Sequence, residues 1–343
     1  MSVLTIVEAG SSSVQGLGNY GGQRYGIAPG GAMDRFALAE ANALVSLPAG
    51  AAAIEIGPLP FRIAMAANPI RFALSGARRE VRLNDLRIEL NSTVLAGPQD
   101  ILSVRGANDG QFSYLAIQGG LQASDQKSVS LSRSGRSWVL QAGEVIPVLP
   151  AVRQQPEFRL PAHSRSSAPI RVVLGPHLDQ FATSAVNRFL STTWSVSTAA
   201  DRMAYILDGG RVETLSRPNR ISDGMVTGNI QIAGSGQPLV ILCDRGTVGG
   251  YPKIATIITA DLGRFVQTPL CGQVRFAPVS VVEAQALARD FAHGLANLKT
   301  KVKPVAAGIS LPALLECNLA GEVVDAGQWF GDVADSPERG MRL

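Results

Sequence analysis

The chain has 343 residues, 46% hydrophobic and 17% charged, with a net charge of +4, a globular composition with length enough for two ordinary domains and a sizeable core. Its basic side chains are dispersed and the densest group, Lys299, Lys301 and Lys303, is read as a solvated turn, so no nucleic-acid partner is expected. No apolar run approaches the roughly 20 residues that span a bilayer, residues 1–13 lack the basic start of a signal peptide, and Cys243, Cys271 and Cys317 stand too far apart for a disulfide framework or a zinc site; a cytoplasmic protein with no membrane and no metal is the expectation.

The first half alternates short apolar runs with turns, in keeping with 36 Gly and 20 Pro along the chain. Strands are predicted at 2–9, 54–56, 69–74, 80–83, 86–90 and 114–117, with Asn84-Asp85 as a hairpin turn between two alternating runs. Ala9-Gly10-Ser11-Ser12-Ser13 reads as a serine-rich turn. Gly16-Leu17-Gly18-Asn19-Tyr20-Gly21 matches G-x-G-x-x-G, but no helix opens after it and no βαβ unit follows, so a turn is preferred to a dinucleotide site. Asp34 is placed to cap a helix carrying Phe36, Leu38, Ala39, Ala41, Asn42, Leu44 and Val45. Residues 151–169, rich in Pro, Gln, Ser and Arg, read as a linker.

The second half opens with a strand at 170–174, then a helix at 178–190, strands at 228–233, 239–243, 254–259 and 274–278, and a helix capped by Ser280. Without βαβα alternation, the predicted class is mainly β with a few helices. It divides into an N-terminal mainly-β domain at 1–150 and a C-terminal one at 170–343.

Two segments carry chemistry. In Ala28-Pro29-Gly30-Gly31-Ala32-Met33-Asp34 a glycine loop enters a helix N-terminus, whose N–H groups suit a carboxylate; a plain capped turn, with Asp34 as the cap, fits equally well. In Asp244-Arg245-Gly246-Thr247-Val248-Gly249-Gly250-Tyr251-Pro252 a buried strand ends in an acid, a base, a hydroxyl and paired glycines, a pattern for a binding loop. The alternative is a tight turn with Asp244 and Arg245 as a surface ion pair. Of the three histidines, only His177, beside a Gly-Pro turn, stands near such a feature. No Gly-x4-Gly-Lys-Ser/Thr loop for ATP is present.

The same segments carry a family resemblance. Pro29-Gly30-Gly31-Ala32-Met33-Asp34 with Ala41-Asn42-Ala43-Leu44-Val45, then Ile54-Glu55, Ser75-Gly76-Ala77, Tyr114-Leu115-Ala116-Ile117-Gln118-Gly119-Gly120, Asp201-Arg202-Met203, Gly228-Asn229-Ile230-Gln231 and Asp244 through Pro252 occur in an order that resembles the carboxyltransferase-like family of the C-type 5-oxoprolinase subunit, allophanate hydrolase subunit 2 and urea amidolyase. The resemblance implies two cyclophilin-like β-barrel domains and a second chain as partner, similar to the B-type 5-oxoprolinase subunit or allophanate hydrolase subunit 1. It implies a small amide or lactam as substrate, ATP used by the complex, and no cofactor held by this chain. A biotin-dependent carboxyltransferase acting on urea is the alternative. A regulatory binding module is a further one, since the family's Gln-Asp-x-Gly-Arg is here Gln15-Gly16-Leu17-Gly18-Asn19.

On these matched positions, lactam chemistry would use Asp34 and Asp244 for proton transfer or orientation and Arg202 with Arg245 to hold a carboxylate. Asn42, Gln231 and Thr247 would hydrogen-bond the amide, and Gly249, Gly250 and Tyr251 would approach the ligand. This placement requires the Met33-Asp34 loop and the Thr247–Tyr251 stretch to share one cleft lined by Arg202 and Gln231.

Overall fold

A computed structural model of the chain describes residues 2–66, 68–122, 138–151, 156–161, 166–215 and 221–305. Residues 2–148 supply two six-stranded antiparallel sheets. In spatial order the first runs Val145–Val148, Ser2–Glu8, Phe61–Ala66, Ile101–Val104, Val81–Leu83 and Leu86–Arg87. The second runs Trp138–Val139, Ser12–Gln15, Ala53–Ile56, Asp109–Ile117, Ile70–Arg78 and Thr93–Ala96. The hairpin predicted at Asn84-Asp85 pairs Leu83 with Leu86, and Asn84 takes the left-handed φ of 54° that such a turn needs.

The second sheet is the wall between two cores, and strand periodicity decides which side chain enters which. Along Asp109–Ile117, Leu115 and Ile117 join Ile54, Ile56, Phe72 and Leu74 in the core shared with the first sheet. Their neighbours Phe112, Tyr114 and Ala116 face the other way, into a core built with the helix Arg35–Leu44 and the C-terminal sheet. Successive residues point to opposite faces, so Glu55, between Ile54 and Ile56, must also project toward that second core. Each fully buried Leu, Ile or Phe contributes about 1.5–3 kcal/mol to holding the wall between its neighbours.

Residues 170–278 supply an eight-stranded sheet in the order Gln273–Val274, Trp194–Val196, Ala204–Asp208, Pro238–Ile241, Asn229–Ile232, Lys253–Ile257, Ile170–Leu174 and Phe276–Pro278. The pair Ile170–Leu174 with Phe276–Pro278 is parallel. The helix Val281–Ala296 follows, capped as expected by Ser280, whose hydroxyl accepts from Glu283 N at 3.1 Å.

Four local expectations change. The serine-rich turn is a fully buried strand from Ser12 onward, paired on both sides with Ala53–Ile56 and Trp138–Val139. The segment read as a linker contains Phe158–Arg159, which pairs with Lys303–Pro304 and buries Leu160. The helix expected at 178–190 is a 3₁₀ turn, Leu178–Gln180, followed by Thr183–Ser191. A further helix, Thr259–Val266, occupies residues partly assigned to a strand.

Candidate functional site

One buried ion-pair network ties the recognisable segments together. Glu55 Oε2 accepts from Tyr114 OH at 2.7 Å and from Met33 N at 2.9 Å, and the Tyr114 hydroxyl accepts in turn from Asp34 N at 2.7 Å. Arg202 Nη1 donates to Glu55 Oε1. The same guanidinium forms a bidentate pair with Asp244, both contacts at 2.9 Å, and donates to Gly31 O at 2.8 Å. Burial works to lower the pKa of Arg202, but Glu55 and Asp244 outweigh it and hold it raised. Burial, reinforced by the charges of Glu55 and Asp34, pushes the Tyr114 phenol well up.

The glycine-rich run at 16–21 turns out to hold this loop. It leads into a 3₁₀ turn, Tyr20–Tyr25, capped by Asn19. Asn19 N donates to Pro29 O at 2.6 Å and Ala32 N to Gly16 O at 2.8 Å. A Cβ on Gly31, at φ 89°, would lie 2.7 Å from Gly18 N and Leu17 C, so the two loops touch backbone to backbone only because neither carries a side chain there.

Beside the network lies a cavity of ≈ 230 Å³ lined by Tyr20, Met33, Arg35, Thr227, Cys243 and Arg245, among others. Arg245 is 2% exposed, and its guanidinium donates to Gln23 Oε1 and Gly246 O at 3.0 Å and toward Thr227 Oγ1 at 3.4 Å. Burial lowers its pKa and pushes the Cys243 thiol up to about 12. The Tyr20 phenol is raised, by burial first and then by Cys243, against the opposing pull of Arg35 and Arg245.

The residues expected to act thus divide. Arg245 lines the cavity; Arg202 pairs with both Asp244 and Glu55, so its guanidinium already holds two carboxylates. Asp34 has both oxygens committed: Oδ1 accepts from Phe36 N and Ala37 N at 3.1 Å, and Oδ2 from Gln267 Nε2 at 2.9 Å. Its geometry is that of the helix cap. Asn42 is fully buried and donates to Ala49 O and Ala51 O, which pins the loop after the helix and leaves the amide no route to a ligand.

The remaining expected residues form a neighbouring group. Gln231 is buried, with Nε2 3.4 Å from Tyr251 O. A Cβ on Gly249 would lie 2.8 Å from that same Nε2 and 2.6 Å from Met225 Sδ. Thr247 O accepts from Met225 N at 2.9 Å, Gly250 is half-buried, and Tyr251 is exposed. Neither Gln231 nor residues 247–251 line the cavity, which instead takes Val226 and Thr227 from the strip that contacts them. The single cleft drawn from sequence is therefore two adjacent places joined by residues 225–227.

Next to that group, Lys253 is 2% exposed and its ammonium donates to Asp223 Oδ2 at 2.8 Å and to Gly224 O. His177 Nδ1 accepts from Lys253 N at 3.1 Å, and its Nε2 faces Asp223 at 3.4 Å, so the imidazole is structural. Among the described residues no cluster of three or more His, Cys, Asp or Glu could hold a metal ion, and no helix is long and apolar enough to cross a membrane. Sequence reasoning missed Arg35, Tyr20 and Gln267, and it saw Glu55 and Tyr114 only as strand residues.

The family described as carboxyltransferase domain, subdomain A and B, matches residues 25–278. The C-type 5-oxoprolinase subunit of Escherichia coli (strain K12) is 31% identical over 297 residues, covering 84% of this chain and 95% of that protein. The protein of the same name from Haemophilus influenzae is 31% identical over 287 residues, 81% of this chain and 91% of that one. Among solved structures, the K. lactis urea amidolyase superposes with a TM-score of 0.78 at 23% identity over 90% of this chain, which spans 21% of that much longer enzyme. That likeness is one of fold.

Proposed function

This chain belongs to the carboxyltransferase domain family, subdomain A and B, and from that membership we propose that it is the C-type subunit of an ATP-dependent 5-oxoprolinase, which opens a lactam to glutamate. The observation that carries this reading is the end-to-end correspondence with the Escherichia coli protein of that type, 95% of which is covered. A second family member, of the B type, completes the working site. ATP supplies the free energy of ring opening to the complex as a whole.

On this reading the cavity between Tyr20, Arg35 and Arg245 receives the lactam. Opening an amide builds negative charge on its carbonyl oxygen, and preorganised N–H donors in a site shielded from water stabilise that charge best. The Arg202–Glu55–Asp244 network is the frame: it fixes the Met33-Asp34 loop, the Ala53–Ile56 strand and the Asp244-Arg245 turn relative to one another. Positioning to within fractions of an ångström is what such a frame contributes.

The test is reconstitution of this chain with its partner subunits, followed by an assay of glutamate released from 5-oxoproline with and without ATP. Release that needs both ATP and this chain supports the assignment. An intact complex that releases no glutamate, or one equally active without this chain, removes it.

A further inference from the structure

The wall of the cavity beside Cys243 brings together two cations and no anion. Arg35 and Arg245 both line it, and none of the described residues that line it is an Asp or a Glu. Elsewhere Arg171 and Arg264 share Asp261 and Arg202 holds Glu55 and Asp244, whereas the buried Arg79 meets only the backbone carbonyls of Gly57, Arg105 and Gln111. Arg245 likewise has only neutral oxygens, from Gln23, Gly246 and Thr227, and it lines the cavity. Arg35 Nε is shielded from solvent and has no hydrogen-bond partner. A guanidinium removed from water without a counter-charge is a standing cost that an anionic ligand relieves.

The rest of the lining fits a small, partly apolar body. Met33, Leu242, Leu262, Val266 and Phe291 supply apolar surface, and Tyr20 and Thr227 complete the lining. At ≈ 230 Å³ the space is below the roughly 300–1,000 Å³ of pockets for drug-sized ligands, so a metabolite of a few heavy atoms is the matching size.

We propose that this cavity is a monocarboxylate-recognition site in which Arg35 and Arg245 together hold the ligand's carboxylate and so select a carboxylated lactam over a neutral amide. The proposal rests on the lactam-opening reading for the identity of the ligand, but not for the chemistry of the site. It also moves one role: the second cation beside Arg245 is Arg35, at the start of the helix Arg35–Leu44, and not Arg202, whose donors are already taken. Arg35 and Arg245 are the specificity-determining residues, and Arg202 is a positioning residue.

The experiment is calorimetric titration of the full chain with 5-oxoproline and with 2-pyrrolidinone, the same ring without the carboxylate. The wild-type chain binds 5-oxoproline more tightly, by about 10-fold or more, as expected for charge-assisted hydrogen bonds. Arg35→Gln and Arg245→Gln each remove most of that difference and leave 2-pyrrolidinone binding unchanged, while Arg35→Lys restores part of it. Thermal unfolding of each variant verifies the fold, and Arg35→Gln, at a half-exposed helix start, keeps the test open should Arg245→Gln not fold. Equal affinity for the two rings, no 5-oxoproline binding by the folded wild-type chain, or an Arg35→Gln variant indistinguishable from wild type would overturn the proposal. A reconstituted complex that turns over 5-oxoproline with an unchanged KM in Arg35→Gln sinks the carboxylate site and spares the functional assignment. A complex without turnover, alongside intact discrimination between the two rings, does the reverse.

Discussion

Replacing Arg202 by Met separates a structural frame from a substrate clamp. Glu55 is 1% exposed and would keep only its bonds from Tyr114 OH and Met33 N once the guanidinium is gone. Asp244 is a quarter exposed and can recruit water in its place. The loss is therefore dominated by one buried, uncompensated carboxylate, and Arg202→Met should cost about 3–5 kcal/mol of stability. Adding Glu55→Gln removes the charge while leaving an oxygen for Tyr114 and Met33. The double variant should then lose only about 1–2 kcal/mol, from the bonds to Asp244 and Gly31 O. Urea unfolding followed by tryptophan fluorescence reads both, since Trp194 is fully buried in the second core. If Arg202 served mainly to grip substrate, the single variant would lose under about 1 kcal/mol while binding collapsed. That result, or a double variant no more stable than the single one, refutes the frame.

Gln267→Leu should cost about 2–4 kcal/mol in the same assay, because Gln111 N, Phe112 N, Phe112 O and Asp34 Oδ2 all lose their partner at once. Gly263→Ala would set a Cβ 2.6 Å from Asp34 Oδ1, displacing the cap, and should cost about 1–3 kcal/mol; an unchanged urea midpoint would show that the helix start yields freely. Asp34→Ala should cost about 1–2 kcal/mol, the worth of an N-cap, and circular dichroism at 222 nm should fall only slightly. The raised thiol of Cys243 gives a pH dependence: its stabilising contribution is complete below its ordinary value of 9.0, and falls as pH rises toward about 12, because the unfolded thiol ionises first. Cys243→Ala should flatten the alkaline limb of stability by up to about 1.4 kcal/mol per pH unit over that window, and an unaltered limb would count against the burial of the thiol.

What could be read in the sequence was local. Asp34 and Ser280 declare their helices because capping is a matter of two or three residues, and Asn84-Asp85 declares its hairpin for the same reason. Ser12–Gln15 was illegible: a strand with polar residues buried between two neighbours has no alternation to show, and its serines mimic a turn. The frame was illegible in another way. Arg202 and Glu55 are 147 residues apart in sequence, and Gln267 meets Asp34 across 233. Nothing in the local pattern of either residue announces a partner at that distance; a resemblance marks the segments as special without saying which atoms meet. Arg35 was passed over because a lone charged side chain at a helix start reads as solvated, and its significance comes only from a cavity wall built by residues far along the chain.

A crystal structure of the chain soaked with 5-oxoproline decides whether the lactam sits in the cavity beside the Arg202–Glu55 frame. Ligand density is expected between Arg35 and Arg245, with the carboxylate within hydrogen-bond distance of both guanidinium groups. Density for the lactam at a different place on the chain, with this cavity holding only solvent, would contradict it.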